Sequence, residues 1–377
     1  MKELVKMKKI KILMILNNLN KCDGISSYVM NYYKYLDKNK FHIDFVVTTD
    51  IVDDEYKKYI KNNGSKIFYI KSPHIKSIFR DLKNIKLFIK ENSKNYDIIH
   101  SHVINDGYFY FKFGKKYNIN KRILHSHNTT LGSEKLLKKI RNNILARNMV
   151  KLSTTRFACS NDAGKYLFKN KSFYIIHNAI DTKKFKFDSS IRKKYRKEMK
   201  LENNLILGHV GRLDYQKNHE FLIDVLNEVV KVRKDVKLLL IGSGPLKEYI
   251  MEKVNKLKLN EFVEFLGTRS DVHNLMQAMD LFLFPSLFEG LGIVTIEAQA
   301  VDLPCIVSNN VPKDVKILNT LKFNELDINE WCNYIVDFES KKERESKENK
   351  IIDAGYDIDI EIHKLESKYI QINNLMM

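Results

Sequence analysis

The feature that most limits what this chain can become is an alternation, carried twice, of short apolar runs with longer helix-period runs. In the first half the apolar runs are Ile10–Leu16, Ile43–Thr48, Lys66–Ile70, Asp97–Ser101, Arg122–Ser126, Arg156–Cys159 and Phe173–Ile176. They have strand length, and most are dominated by branched and aromatic residues, as strands buried on both faces require. Helical patterns lie between them, at Ser26–Leu36 and at Ser77–Glu91, where Ile78, Phe79, Leu82, Ile85, Phe88 and Ile89 fall on one face. The second half repeats the plan with strands at Leu205–Val210, Val236–Ile241, Phe262–Leu266, Asp280–Phe284 and Pro304–Ser308. A helix at Asn218–Arg233 turns Phe221, Leu222, Val225, Leu226, Val229 and Val230 inward. Such alternation predicts parallel sheets covered by helices on both sides. A chain of 377 residues exceeds one ordinary core, so two α/β domains are expected, with the polar run Ile176–Ser190 as linker.

The charge is uneven between the halves. Residues 1–185 carry 37 Lys and Arg against 15 Asp and Glu, whereas 186–377 carry 28 against 31. A net charge of +19 gathered on one half favours an acidic partner, either nucleic acid or an anionic membrane surface. No run approaches the length of a membrane span. The opening MKELVKMKKIKILMIL imitates a signal peptide but lacks a small-residue cleavage site, so a first strand is the expectation. Cys22, Cys159, Cys305 and Cys332 lack metal-type spacing and read as reduced cytosolic thiols. The run Glu339–Lys350, ESKKERESKENK, has no apolar face and reads as a solvated segment.

Chemistry-bearing residues gather at strand ends. After Phe284 a loop holds Glu289, Gly290, Leu291 and Gly292, and a helical pattern begins at Ile293, with Glu297 one turn on. A helix start beyond a strand's carboxyl end is where α/β sheets bind anions. Gly211 ends the strand finishing at Val210, and GRLDYQKN supplies Arg212 and Lys217, a guanidinium fork and an ammonium suited to a diphosphate. Neither cation belongs to an apolar pattern, so little stability is expected to depend on them. GSGP, with Gly242 and Gly244, is a tight turn or a place for close backbone approach to a nucleotide. In the first half Asp23 and Gly24 precede a helix, and two His-Ser-His runs, His100/His102 and His125/His127, end strands. Alternation puts each histidine pair on one strand face. A metal is conceivable there, but no carboxylate or cysteine cluster supports it; a strand-end histidine facing an interdomain cleft suits hydrogen bonding to sugar hydroxyls or phosphate. The sole D-x-D, Asp357 and Asp359, lies away from any phosphate loop and is a poor metal candidate.

The combination GRLDYQKN, GSGP, FLGTRSDV and FEGLGIVTIEAQA resembles the family-4 retaining glycosyltransferases of GT-B fold. SHSHNTT, ACSNDAGKYLF and IIHNAIDTKKF look like the branch that builds capsular and extracellular polysaccharide. The likeness covers nearly the whole chain. It implies two Rossmann-like parallel-sheet domains facing a cleft: residues 1–185 on the acceptor side, 186–355 holding a nucleotide sugar, and a helix in 356–377 crossing back to the first domain. By position it implies Arg212 and Lys217 on the diphosphate, Glu297 on the ribose and Glu289 on the transferred sugar. It also places Gly24, Gly242, Gly244, Thr268 and the amides at Gly290, Leu291, Gly292 and Ile293 at the donor. His127, rather than His125, matches the histidine beside the transferred sugar, so His127 and Glu289 are the candidate catalytic groups. The family's first loop usually has two adjacent glycines where this chain has Asp23 and Gly24, and the usual glycine before Leu-Pro is Asp302.

The expectation is therefore a metal-independent, cofactor-free hexosyltransferase. It would move sugar with retention from a nucleotide diphosphate donor, UDP above all, to a saccharide or lipid-linked saccharide. Its expected place is the cytoplasm, with peripheral attachment to the inner membrane face offered by basic amphipathic helices. These are Ser77–Glu91 with Arg80, Lys83, Lys86 and Lys90, and Ser133–Val150 with Lys135, Lys138, Lys139, Arg141 and Arg147 beside Leu136, Leu137, Ile140, Ile144 and Leu145. The competing reading is a basic protein that binds nucleic acid or anionic lipid without chemistry, but it leaves Glu289 and Glu297 idle, and carboxylates beside phosphates weaken nucleic-acid binding.

Overall fold

A computed structural model of the chain describes residues 8–375 apart from 22, 129–135 and 341–343. The chain divides into two compact units, Met1–His177 with Asp359–Met377, and Asn178–Ile358. The first unit runs β1 (Ile10–Leu16), α1 (Gly24–Tyr35), β2 (Phe41–Val47), α2 (Asp54–Asn62), β3 (Ile67–Tyr69), α3 (Ile78–Asn92), β4 (Ile98–Ser101), α4 (Gly107–Lys116), β5 (Lys121–Ser126), α5 (Leu136–Leu152), β6 (Thr155–Ala158), α6 (Asn161–Phe168) and β7 (Tyr174–Ile175). The second runs α7 (Ser189–Glu198), β8 (Leu205–Val210), α8 (His219–Val232), β9 (Val236–Ile241), α9 (Lys247–Lys256), β10 (Val263–Gly267), α10 (Val272–Ala278), β11 (Leu281–Phe284), α11 (Ile293–Ala300), β12 (Cys305–Ser308), β13 (Leu321–Asn324), α12 (Ile328–Val336) and α13 (Glu348–Asp353). Helix α14 (Ile358–Asn374) ends the described chain.

Both sheets are parallel throughout. Their orders are β3-β2-β1-β4-β5-β6-β7 and β10-β9-β8-β11-β12-β13. In each the order reverses beside the first strand, between β1 and β4 and between β8 and β11. Such a switch point opens a crevice at the strands' carboxyl ends, where this fold class takes ligands.

Strand periodicity sorts the first sheet's side chains. Leu13 and Ile15 of β1, Ile99 of β4 and Leu124 of β5 face a core with Ile85 and Ile89 of α3, Tyr110 and Phe111 of α4, and Met149 of α5. Met14, His100, His102, His125 and His127 have the opposite parity and share the other face. In the second unit Leu207, Leu238, Leu240 and Leu283 meet Leu222, Val225, Leu226 and Val229 of α8 and the buried Trp331 of α12. Truncating one of these leucines to alanine would cost about 2–5 kcal/mol.

Two expectations are corrected, and one strand is added. The run Ile176–Ser190 is no free linker: Ile180 pairs with Asp357 as a parallel bridge, Thr182 Oγ1 donates to Asp357 Oδ2 at 2.6 Å, and Ala179, Ile180 and Phe185 are buried. The charge run holds a buried residue, Arg344, whose guanidinium donates to the Gln277 carbonyl and lies 4.7 Å from the Phe187 ring centre. Burial pushes its pKa down to about 9. Strand β13 escaped the sequence reading because it is a four-residue edge strand interrupted by Lys322. Residues 133–135 of the expected basic helix lie outside the described residues.

Candidate active site

The carboxyl ends of β8 and β11 carry the two motif loops. Past Gly211, the Asp214 side chain accepts from the Lys217 amide at 3.3 Å and folds residues 215–217 into a tight turn. Asn218 takes a left-handed φ of 53° and starts α8. The 285–289 segment is laced to this turn. The Leu287 amide donates to the Gln216 carbonyl at 2.8 Å, and Gln216 Nε2 donates to the Phe288 carbonyl at 2.9 Å. Lys217 Nζ closes the seam, donating to Glu289 Oε1 at 2.6 Å and lying 4.6 Å from the Phe284 ring centre. The Lys217 and Glu289 side chains are 17% and 8% exposed, so this is a mostly desolvated pair. Lys217 therefore supports the fold as well as any ligand, contrary to the expectation that little stability depends on it. Arg212 fits that expectation: its side chain is 49% exposed, with Asp214 Oδ2 at 3.8 Å as a loose partner.

Gly292, at φ 86°, turns the chain into α11. A Cβ there would lie 3.1 Å from Phe284 Cε1, so both conformation and space call for glycine. Among the described residues no side chain caps α11, so the first-turn amides of Ile293 and Val294 lack intrahelical partners and the positive end of the helix dipole lies there. Glu289, Gly290, Leu291, Gly292 and Ile293 thus form one continuous rim beside Lys217. Glu297 sits one turn into the helix, half-buried, with no hydrogen-bond or ion-pair partner among the described residues. Burial pushes its pKa up to about 7.

The GSGP glycines serve the neighbouring loop. Gly242, at φ 137°, would place a Cβ 2.0 Å from the Gly211 carbonyl oxygen, and a Cβ on Gly244 would lie 2.3 Å from the Leu213 oxygen. Their lack of side chains lets the 242–244 turn brace the Arg212 loop, sealed by the Leu213 amide donating to the Ser243 carbonyl at 3.1 Å. This is a structural reason for both glycines, beside the nucleotide approach expected from sequence. Thr268 is exposed at the carboxyl end of β10, on the same sheet edge.

Sequence reasoning missed the layer beneath. His209 Nδ1 donates to the Leu283 carbonyl at 2.8 Å, tying β8 to β11, and its ring meets His219 edge-on at 4.6 Å. Burial keeps both uncharged, pushing His219 down to about 4. Lone histidines inside apolar runs gave no signal of this pairing.

In the first unit Asp23 caps α1, accepting from the Ser26 amide at 2.8 Å, and Gly24 is exposed, with none of the described residues within 4 Å of an added Cβ. The carboxylate occupies the helix start that a glycine pair would leave open to a ligand. His100, His102, His125 and His127 are all buried, from 1% to 8% exposed. The rings stack on one another, and Tyr28 meets His125 edge-on at 5.3 Å and lies tilted against His127 at 5.0 Å. Burial pushes His100 and His127 down to about 3, and burial with neighbouring imidazoles takes His102 and His125 well below the usual range. All four are neutral near pH 7. His100, His102 and His125 bring ring nitrogens within 4.8 Å of one another, a spacing that could hold a metal ion, although both nitrogens of His100 and of His102 already engage other side chains. Asp357 of the D-x-D is spent on Thr182.

Known proteins agree with this architecture. The family model described as Glycosyl transferases group 1 matches residues 190–353, and that described as Glycosyltransferase Family 4 matches residues 22–184. The chain is 28% identical to the putative glycosyltransferase EpsF of Bacillus subtilis, covering 95% of this chain and 96% of that one. It is 27% identical to the capsular polysaccharide biosynthesis glycosyltransferase CapH of Staphylococcus aureus, over 96% and 99%. It is 24% identical to the UDP-Gal:alpha-D-GlcNAc-diphosphoundecaprenol alpha-1,3-galactosyltransferase of Escherichia coli, over 93% and 94%. Among solved structures, Anabaena HepE in complex with UDP and glucose superposes with a TM-score of 0.71 at 18% identity, covering 97% of each chain. Two parallel-sheet units, a rim of charged side chains and helix-start amides at the second unit's switch point, and family models spanning both halves make one assignment: the chain belongs to the family-4 glycosyltransferases of GT-B fold.

Proposed function

We propose that this glycosyltransferase moves a sugar, with retention of configuration, from a UDP-sugar to a lipid-linked saccharide during synthesis of a surface polysaccharide. The observation that carries the reading is the rim joining Lys217, Glu289 and the uncapped start of α11 at one switch point. Cations and open amides face a leaving diphosphate, and a carboxylate faces hydroxyl groups. Arg212 and Lys217 neutralise the diphosphate, and the first-turn amides of α11 donate to its oxygens as negative charge develops, which lowers the barrier to its departure. Glu289 holds the transferred sugar, Glu297 the ribose, and His127 a hydroxyl on the sugar. With two cations and a helix start at the diphosphate, and the D-x-D committed elsewhere, the reaction needs no divalent metal. The UDP donor is supported by the HepE complex, and the lipid-linked acceptor and polysaccharide role by the Escherichia coli and Staphylococcus aureus relatives.

A membrane-facing role for the first unit has its own support. Phe79 is 89% exposed on α3, with Ile78 and Leu87 beside Arg80, Lys83 and Lys86. On α5, Ile140 and Ile144 are exposed beside Lys138, Lys139, Arg141 and Arg147. Only part of the α3 stripe is core, namely Ile85 and Ile89 with Leu82 and Phe88 half-buried, so apolar and basic side chains share the outer surface. No helix among the described residues is long and apolar enough to cross a membrane. These helices instead suit attachment to an anionic surface carrying the acceptor.

The test is thermal shift against UDP-, GDP- and ADP-sugars, because a ligand that binds only the folded state raises the melting temperature. Stabilisation by a UDP-sugar, lost in Arg212→Ala, is the expected result. Equal indifference to every nucleotide sugar would overturn the donor assignment.

A further inference from the structure

The four buried histidines form two chains of hydrogen bonds whose polarity the surrounding side chains dictate. In the first, Met14 Sδ lies 2.9 Å from His102 Nε2, and His102 Nδ1 lies 2.7 Å from His127 Nε2. A thioether sulfur only accepts. Were His102 Nε2 unprotonated, two lone pairs would face each other at that distance. His102 therefore carries its proton on Nε2, and its Nδ1 accepts from His127 Nε2–H. A neutral imidazole has one N–H, so His127 Nδ1 is a bare lone pair, and it has no partner among the described residues.

The second chain begins at Tyr369 of α14, whose hydroxyl lies 2.7 Å from His100 Nδ1. Burial holds this phenol protonated. Its hydroxyl has no other partner among the described residues, so accepting from His100 would strand a buried O–H at a cost of about 1–3 kcal/mol. It donates instead. His100 then carries its proton on Nε2 and donates at 3.3 Å to His125 Nδ1, which leaves His125 with a protonated Nε2 that has no partner among the described residues. The His125 and His127 rings stack 4.2 Å apart, and the buried Tyr28 hydroxyl beside them also lacks a partner among the described residues.

We propose that Met14 and Tyr369 are positioning residues that, through His102 and His100, lock His127 as a hydrogen-bond acceptor and His125 as a donor. His127 Nδ1 then takes a hydroxyl that donates, and an anion, which only accepts, is refused there. The source of the hydroxyl is either a sugar, which rests on the transfer reading above, or a buried water, which does not. The locked tautomers themselves are a property of the ligand-free protein, so they stand or fall independently of turnover.

The test is long-range proton–nitrogen NMR of the full chain labelled with ¹⁵N-histidine, each resonance assigned by single substitution. All four histidines are expected as Nε2–H tautomers between pH 6 and pH 8. Met14→Leu, which removes the acceptor but keeps the shape, is expected to let an Nδ1–H population appear at His127, and Tyr369→Phe to do so at His125. An Nδ1–H or doubly protonated His127 or His125 in the unsubstituted protein overturns the proposal, and so do unchanged tautomers in both variants. If Met14→Leu fails to fold, the unsubstituted spectrum and Tyr369→Phe still decide. On adding UDP-glucose or UDP-galactose, a shifted His127 Nδ1 resonance identifies a sugar hydroxyl as the occupant, and an unshifted one excludes it while leaving the locked tautomers standing.

Discussion

Glu297→Gln should make this protein more stable at alkaline pH and worse at its task. Burial raises the Glu297 pKa from the ordinary glutamate range to about 7, with no ion-pair partner among the described residues. The folded state therefore binds this proton more tightly than the unfolded chain. Stability is greatest below the unfolded value, falls as pH rises through about 7, and is flat above it. Taken whole, the shift corresponds to on the order of 3 kcal/mol; because the side chain is only half-buried, about 1–2 kcal/mol is the working figure. In differential scanning calorimetry the Gln variant should match the unsubstituted protein at pH 5 and melt roughly 2–8 °C higher at pH 8. As the proposed ribose ligand, the same carboxylate would accept two hydroxyl protons in its ionised form. If only the ionised form binds, affinity for a UDP-sugar falls about tenfold, or about 1.4 kcal/mol, from pH 8 to pH 6. The sugar-linked diphosphate has no group titrating in that window, so titration calorimetry reads the protein alone. The Gln variant should bind weakly at both pH values. Equal melting temperatures at pH 8, or an unchanged pH dependence of binding in the variant, would refute the reasoning.

Lys217→Met should destabilise the second unit by about 2–4 kcal/mol by leaving the Glu289 carboxylate desolvated without its cation, and Lys217→Met with Glu289→Gln should recover part of that loss in thermal melts. Gly242→Ala should prevent folding of the second unit or cost several kcal/mol, because its Cβ would collide with the Gly211 carbonyl oxygen at a φ of 137°; a near-normal melt would contradict that placement. Phe79→Asp should leave the melting temperature within about 1 °C and weaken co-sedimentation with anionic vesicles, while high salt weakens binding of the unsubstituted protein; equal binding to neutral and anionic vesicles would remove the membrane role.

Strand placement was legible because buried parallel strands are continuous apolar runs: β1, β8 and β9 have the expected ends to the residue. What marks β13 is pairing with β12, which a short run containing a lysine does not announce. The site loops were legible as motifs, but their couplings were not. Nothing in the order of residues shows that Lys217 meets Glu289 or that Gly242 rests on Gly211, since both depend on two distant strands ending side by side. Period-2 arithmetic put each histidine pair on one face. It could not show that the faces are packed over by Tyr28 and by Tyr369 from the far end of the chain, so histidines expected at an open cleft are buried instead. Asp302, where the family usually has glycine, keeps the left-handed backbone at φ 51°, a conformation aspartate tolerates better than most residues. The substitution changes the residue and leaves the turn.

The most direct measurement of the central claim is the stereochemistry of the product. The protein, dialysed against EDTA, would be incubated with an α-linked UDP-sugar and an undecaprenyl diphosphate-linked saccharide, and the new bond read from its anomeric proton coupling by NMR. Metal-free release of UDP matched one to one by a new α-glycosidic bond is the predicted result. A β-linked product, or transfer that appears only when Mg²⁺ or Mn²⁺ is restored, would contradict the account.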